Sequence, residues 1–352
     1  MKVNGFFFAA LFLLSSCVST PQPTPHEAKQ SSQVESITIA AAGDVFMAGT
    51  AQKILDEKGY DASFQPTQHL LDQADIAVAN LEGAITSGGT AYADKTYVFR
   101  MSPEHVAPAL KKAGIDLVTL ANNHIMDYGV VGLEDTKKIL EEHDIATMGA
   151  GLNEAQARVP YIFKKGDYSV GFLAYSLTFP EEFWASDTQA GTAFAYEEKM
   201  REDIQALKSQ VDSIVVSFHW GRELETELRP YQTRMGHMAI DQGASLVIGH
   251  HPHIMQGIER YKNGLILHSL GNYVFGSYSN KVQFGGLAHI QLNRLGFERL
   301  EMSLIDVNNF RRDFQPIVLE GKAFDQAFKD IELLSKPLNT VVQQQGNKLI
   351  VE

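Results

Sequence analysis

A chain of 352 residues that is 44% hydrophobic and 10% aromatic is long enough to bury a large core and too apolar to be disordered as a whole. Its 42 acidic against 30 basic side chains give a formal net charge of −12, which disfavours nucleic acid and anionic lipid head groups and leaves any anionic substrate dependent on a local cation. The single cysteine excludes an intrachain disulfide and a cysteine-based zinc cluster.

The N-terminus reads as an export signal. Lys2 supplies a positive charge, and the apolar run from Phe6 to Leu14 is far shorter than the roughly 20 residues that a membrane-spanning helix needs. The run leads into Leu14-Ser15-Ser16-Cys17, which resembles a bacterial lipobox. The resemblance implies a signal peptide over residues 1–16 and lipid attachment at Cys17, hence an exported lipoprotein of the cell envelope, at the outer membrane or the periplasmic face in an organism with two membranes. Pro21, Pro23, Pro25 and the Ser/Gln-rich residues after them describe a flexible tether over residues 17–36. One folded domain is expected over 37–322, followed by a helical extension over 323–352 that decays into a polar end.

Strand-like and helix-like segments then alternate. Ile37 to Ala42 is a β-branched and alanine run ending at Gly43-Asp44, and a helical pattern follows from Ala51 to Lys58. A second strand, Ile76 to Ala79, ends at Asn80-Leu81-Glu82. Ser102-Pro103-Glu104 predicts a helix start, with a capping hydroxyl and proline at the first helical position, and the helix runs to about Ala113. A third strand, Ile115 to Leu120, ends in Ala121-Asn122-Asn123-His124; a helix from Val130 to Glu142 and a short strand near Ala146 follow. Tyr161 to Phe163 and Tyr168 to Ala174, around Lys165-Gly166-Asp167, read as a hairpin. A helix from Tyr196 to Lys208 leads into the strand Ser213 to Phe218, which delivers His219-Trp220-Gly221. Arg229-Pro230 opens a helix to about Gln242, and the buried run Leu246-Val247-Ile248 breaks at Gly249 to deliver His250, His251 and His253. Lys262-Asn263-Gly264 and Arg294-Leu295-Gly296 signal antiparallel hairpins, and a last helix starts near Phe324.

Asp44, Glu82, Asn123, His219, His251 and His253 each fall at the carboxyl end of a predicted strand, where side chains from several strands of an α/β sheet converge on one crevice. Singly, each has a plain structural reading: a turn former, a solvated carboxylate, a helix cap, a core histidine. Jointly they point to a metal centre, and mixed nitrogen and oxygen donors suit Mn, Zn or Fe. On an extended segment the His251-Pro252-His253 spacing sends both rings to one side. Arg100, beside Tyr97 and Phe99, is suited to hold a carboxylate or phosphate bidentately; a surface salt bridge is the equal alternative.

Gly43-Asp44, Asn80-Leu81-Glu82, Asn122-Asn123-His124, His219-Trp220-Gly221, Gly249-His250-His251-Pro252-His253 and Ser269-Leu270-Gly271-Asn272 occur in an order that resembles the bacterial capsule synthesis protein CapA family, associated with poly-γ-glutamate, over about Ile37 to Phe275. That family in turn looks like a variant of the calcineurin-like metallophosphoesterases. The resemblance implies a four-layer α/β/β/α sandwich with mixed sheets. It makes Asp44, Glu82, Asn123, His219, His251 and His253 the ligands of one or two divalent ions. It also makes His124 similar to the histidine that protonates a leaving group. Two departures stand out: Phe46 occupies the position of a phosphoesterase histidine two residues after the first aspartate, and Glu82 replaces an aspartate. His250 reads as a neighbour of the ligands and His268 as a core residue. Three functions remain open. The first is an envelope-anchored capsule factor acting on an anionic polymer by hydrolysis or transfer, beside a capsule synthase membrane complex. The others are a periplasmic phosphoesterase taking a small anionic substrate, and a non-catalytic scaffold for such a complex.

Overall fold

The computed structural model describes residues 1–3, 5 and 36–352, and one compact unit spans Gln33–Glu352. Cys17 and the tether before Ser36 lie outside the described residues. Among the described residues no helix is long and apolar enough to cross a membrane.

The strand Ser36–Phe46 is the axis of the molecule. Its apolar residues alternate between two buried faces, with Ile37, Ile39 and Ala41 on one side and Ala40, Ala42 and Val45 on the other, which is why the stretch is nearly continuous in hydrophobicity. On one side it pairs in parallel with Ile76–Leu81, and Leu117–Thr119 and Ala146–Met148 continue in parallel from there. On the other side it pairs antiparallel with Phe284–Asn293, which leads to Gly296–Asp306 and Lys348–Val351. Asn272–Phe275 joins its carboxyl end in parallel. A second sheet runs Ile258–Tyr261, Gly264–Leu267, Leu246–His250, Ser213–His219, Tyr168–Ser176, Tyr161–Lys165, parallel in the middle and antiparallel at both edges.

The two sheets face each other across a core that takes Ile39, Val78 and Ile290 from the first and Phe172, Val215 and Ile248 from the second. Each such side chain, taken fully out of water, contributes about 1.5–3 kcal/mol. Helices Gln52–Lys58, Val106–Lys112 and Gly129–Glu142 cover the outer face of the first sheet through Leu55, Val106, Leu110, Leu133 and Leu140. Glu197–Lys208 and Pro230–Gln242 cover the second through Met200, Ile204, Met235 and Ala239. The result is the four-layer α/β/β/α sandwich with mixed sheets that the sequence motifs imply.

Two expectations need correction. The helix expected from Ser102 starts at Val106. Pro108 lacks an N–H and fits only the first turn, whereas a start at Pro103 would bury it in the helix interior at about 3 kcal/mol. The C-terminus is not a decaying extension. After the helix Gly321–Ser335 the chain forms the hairpin Gln343–Gln345 and Lys348–Val351, and the second strand pairs with Gly296–Asp306, burying Leu349 and Val351 between the sheets.

Candidate metal centre

The register of the strands assembles the site. Asp44 lies opposite Asn80 on one neighbour and Asn272 on the other, while His219 ends its strand between Ser176 and His250. Gly43 permits the close pass of the Gly271 loop: a Cβ there would stand 2.0 Å from the Gly271 carbonyl oxygen. Gly249 plays the same part against the His268 carbonyl, also at 2.0 Å.

The convergence of His251 and His253 does not come from strand alternation. The strand stops at His250, and His251 and His253 take φ values of 94° and 60°, both left-handed. Such backbone costs on the order of 1–3 kcal/mol per residue unless its surroundings fix it. Here they do: His251 N donates to Asp44 Oδ2 at 3.3 Å, Leu224 N to the Pro252 carbonyl at 2.9 Å, and His253 Nδ1 stands 2.9 Å from Asn272 Oδ1 and 3.3 Å from Asp44 Oδ2.

At the centre sits Glu82 Oε1, fully buried and without a hydrogen-bond partner among the described residues. The Nε2 atoms of His253, His219 and His124 stand 3.7, 3.9 and 4.0 Å from it. Glu82, His251 and His253 form one group of donor atoms mutually within 4.8 Å, and Asp44, Glu82 and His219 form another. A buried carboxylate oxygen with no donor is strongly unfavourable, and a ring of imidazole and carboxylate donors around it has the composition of a divalent transition-metal site. Asn123, half-buried, places Oδ1 2.8 Å from His219 Nε2.

Neighbouring side chains, of which sequence reasoning singled out only His250, hold these groups in place. Asn80 Nδ2 donates to Asp44 Oδ1 at 2.8 Å and to Glu82 Oε2 at 3.2 Å. Asn122 Nδ2 donates to Asn80 Oδ1 at 3.1 Å and to the Leu81 carbonyl at 2.8 Å, while its Oδ1 accepts from the backbone N–H of His124 and Ile125. Such outer contacts set the orientation of ligating groups. His250 belongs to this set, with Nδ1 3.2 Å from Asp44 Oδ1. His268 is a core residue whose Nε2 meets Glu259 Oε2 at 2.9 Å.

Protons are distributed unevenly over the cluster. Burial works against the Asp44 carboxylate, but contacts with His250 and His253 hold it well below the usual carboxylate range. Burial pushes Glu82 up to about 8, against the pull of His253. Burial would lower His253, yet Glu82 and Asp44 outweigh it and raise the ring to about 9. Burial lowers His251 to about 3, His124 to about 4 and His219 well below its ordinary value, so these three rings are neutral at pH 7, the form that ligates a metal.

His124 is the most constrained ring. Its Nδ1 stands 2.6 Å from Asp127 Oδ2, and Phe99 stacks on its face at 3.7 Å between centroids and 10°. Phe46 stacks in turn on Phe99 at 4.0 Å and 13°, so Phe46, Phe99 and His124 form an aromatic column. Neutral His124, with Nδ1 held by Asp127, leaves Nε2 facing the cluster. Lys95 sits on the other side: its ammonium pairs with Asp127, donates to the Asn123 carbonyl and lies 3.1 Å from His124 Nδ1. Arg100, suited by sequence either to an anionic group or to a surface salt bridge, is exposed, with its guanidinium 4.8 Å over the Tyr128 ring. Lys95 is therefore the cation that the fold brings to the cluster. It lies in the irregular stretch 86–99, where no periodicity marks it.

Strands of two facing sheets that end in carboxylate, amide and imidazole donors, inside an α/β/β/α sandwich, define a candidate metal centre of the mixed-donor kind. Residues 38–277 match the family described as bacterial capsule synthesis protein PGA_cap, and the chain belongs to that family. It is 30% identical over 275 residues to the PGA biosynthesis protein CapA of Bacillus subtilis (strain 168), covering 77% of this chain and 72% of that protein. It is 28% identical over 280 residues to the capsule biosynthesis protein CapA of Bacillus anthracis, covering 78% and 68%. Among solved structures, the NAD nucleotidase NadN of Haemophilus influenzae is similar at 13% identity and a TM-score of 0.46, over 85% of this chain and 56% of that one.

Proposed function

We propose that this protein is an envelope-anchored factor in the biosynthesis of a poly-γ-glutamate-type capsule, with a divalent-metal centre acting on an anionic polymer by hydrolysis or transfer. The observation that carries the metal reading is the orphaned, buried Glu82 Oε1 facing three imidazole Nε2 atoms. Membership of the capsule family, and relatives named for PGA and capsule biosynthesis, support the polymer.

Asp44, Glu82, His219, His251 and His253, with Asn123 beside them, are the residues that would hold an ion of Mn, Zn or Fe. Such an ion supplies Lewis acidity toward a carbonyl or phosphoryl oxygen. The chain supplies the rest. His124, oriented by Asp127, moves a proton at Nε2, and Phe99 keeps one face of the ring from water. Lys95 brings a positive charge to a cluster otherwise rich in carboxylates and attracts an anionic substrate group. A lipid on Cys17 would keep the domain at the membrane, within reach of a capsule synthase complex.

The test is metal analysis of the purified protein combined with assays on poly-γ-glutamate and on phosphoesters. Stoichiometric metal with turnover of the polymer is expected. Turnover of phosphoesters alone would replace this reading with a phosphoesterase, and bound metal without turnover of either would replace it with a scaffold.

A further inference from the structure

The strand Tyr168–Ser176 ends opposite His219, and the segment leaving it carries, besides the core residue Phe183, four aromatic rings that the metal centre does not use. Leu177 N donates to the His219 carbonyl at 2.9 Å and Trp184 Nε1 to the Thr178 carbonyl at 2.8 Å, so the segment is tied down beside a candidate ligand. Phe194 stacks on Trp184 at 3.7 Å, Phe179 stands 5.6 Å from it at 45°, and Tyr196 stands 6.4 Å from it at 90°. Phe179 is 68% exposed and Tyr196 46% exposed, and none of the four rings belongs to the three core clusters. With its N–H satisfied internally, the indole has only its π surface to offer outward, and rings set at different angles around it form a receptor for a cation.

Charge selects the occupant. From Leu177 to Glu198 the sequence carries Glu181, Glu182, Asp187, Glu197 and Glu198 and no lysine or arginine. Glu197 is paired with Arg234 at 2.9 Å, whereas Glu181, Glu182, Asp187 and Glu198 form no ion pair with a described residue. Unpaired carboxylates in the same segment as the exposed rings Phe179 and Tyr196 repel anionic lipid and polyanions and attract an ammonium group. We propose that this aromatic and acidic platform docks a lysine-bearing basic segment of a partner polypeptide, with an ammonium over Trp184 between Phe179 and Tyr196 and next to Glu181 and Glu182.

The chain has two tryptophans, and Trp220 is fully buried, so Trp184 is the fluorescence reporter. Titrating the full chain with oligolysine should give a saturable change in emission. By calorimetry, binding should be lost in Trp184→Ala, largely kept in Trp184→Phe, and weakened about tenfold by Glu181→Gln with Glu182→Gln. Far-UV circular dichroism and metal content should be the same in all variants. The proposal is overturned if oligolysine does not bind, or if Trp184→Ala binds it as well as the parent, which would signify general attraction to an acidic protein. It is equally overturned if a neutral oligosaccharide or anionic phospholipid vesicles bind the platform more tightly than oligolysine. None of these readouts depends on turnover, so failure here leaves the capsule reading untouched, and the reverse holds too.

Discussion

His253 Nε2 lies 3.7 Å from Glu82 Oε1, and both groups hold their protons to unusually high pH, Glu82 to about 8 and His253 to about 9. A metal ion binds only the deprotonated forms. Uptake of Zn or Mn at pH 7 should therefore release protons, and affinity should rise as pH climbs toward 9. Calorimetry in buffers of different ionisation enthalpy measures this directly. Uptake with no proton release would remove Glu82 and His253 from the ligand set.

Replacing both His251 and His253 by alanine should abolish stoichiometric metal while leaving the fold intact, because the rings project from strand ends and not from the inter-sheet core. His268→Gln, by contrast, should retain metal, since that ring faces Glu259. Metal analysis with circular dichroism separates the two.

Glu82→Gln should part the two forms of the protein. It removes a buried oxygen that lacks a donor, so the metal-free variant should be at least as stable as its parent, by up to about 1–3 kcal/mol. It should also lose the stabilisation that the parent gains on adding metal. A metal-free variant much less stable than the parent would show that Glu82 is held by contacts beyond those described.

His124→Ala should keep its metal and lose turnover by about 10²–10⁴-fold, the usual worth of a positioned proton-transfer group. Asp44→Ala should lose both. Lys95→Met should act mainly on KM for an anionic substrate, with kcat less affected. Steady-state kinetics on metal-quantified protein distinguishes the three; equal kcat for His124→Ala and its parent would end the proton-transfer role.

His268 should contribute a loss of stability to the metal-free protein as pH falls below about 6.5. Burial lowers His268 from its ordinary value of 6.5 despite Glu259, so the unfolded chain takes up a proton that the folded one refuses. The stabilising contribution is present above the unfolded pKa and is lost as pH falls below it, at no more than about 1.4 kcal/mol per pH unit for this ring. Thermal melts of the parent and His268→Gln between pH 8 and pH 5 should show a shallower decline in the variant.

The neighbourhood of Asp44, Glu82, Asn123, His219, His251 and His253 was legible because an apolar run that gives way to a polar residue leaves a local trace, although the strand of Asp44 runs on to Phe46 and that of Asn123 stops at Thr119. What was not legible depends on pairing between distant segments. Asn80 shares a strand face with Glu82, a two-residue spacing visible in the sequence, but its partner Asp44 is supplied by register. Lys95 reaches His124 from an irregular stretch that has no period to read, while Arg100, more suggestive beside its aromatics, lies over the Tyr128 ring. The left-handed turns at His251 and His253 follow from the loop around Pro252, which the spacing of the histidines does not disclose.

The axial strand Ser36–Phe46 is completed by Asn272–Phe275 and Phe284–Asn293, and the same sheet is extended by Lys348–Val351. The first strand of the domain thus waits for nearly the last. A nascent chain cannot close this sheet until residues more than 200 positions downstream of its axial strand have been synthesised, and contacts so distant in sequence form slowly. A polypeptide with this wiring stays open until those residues emerge, and a stop before Lys348 strips a strand from the sheet instead of trimming a loose tail.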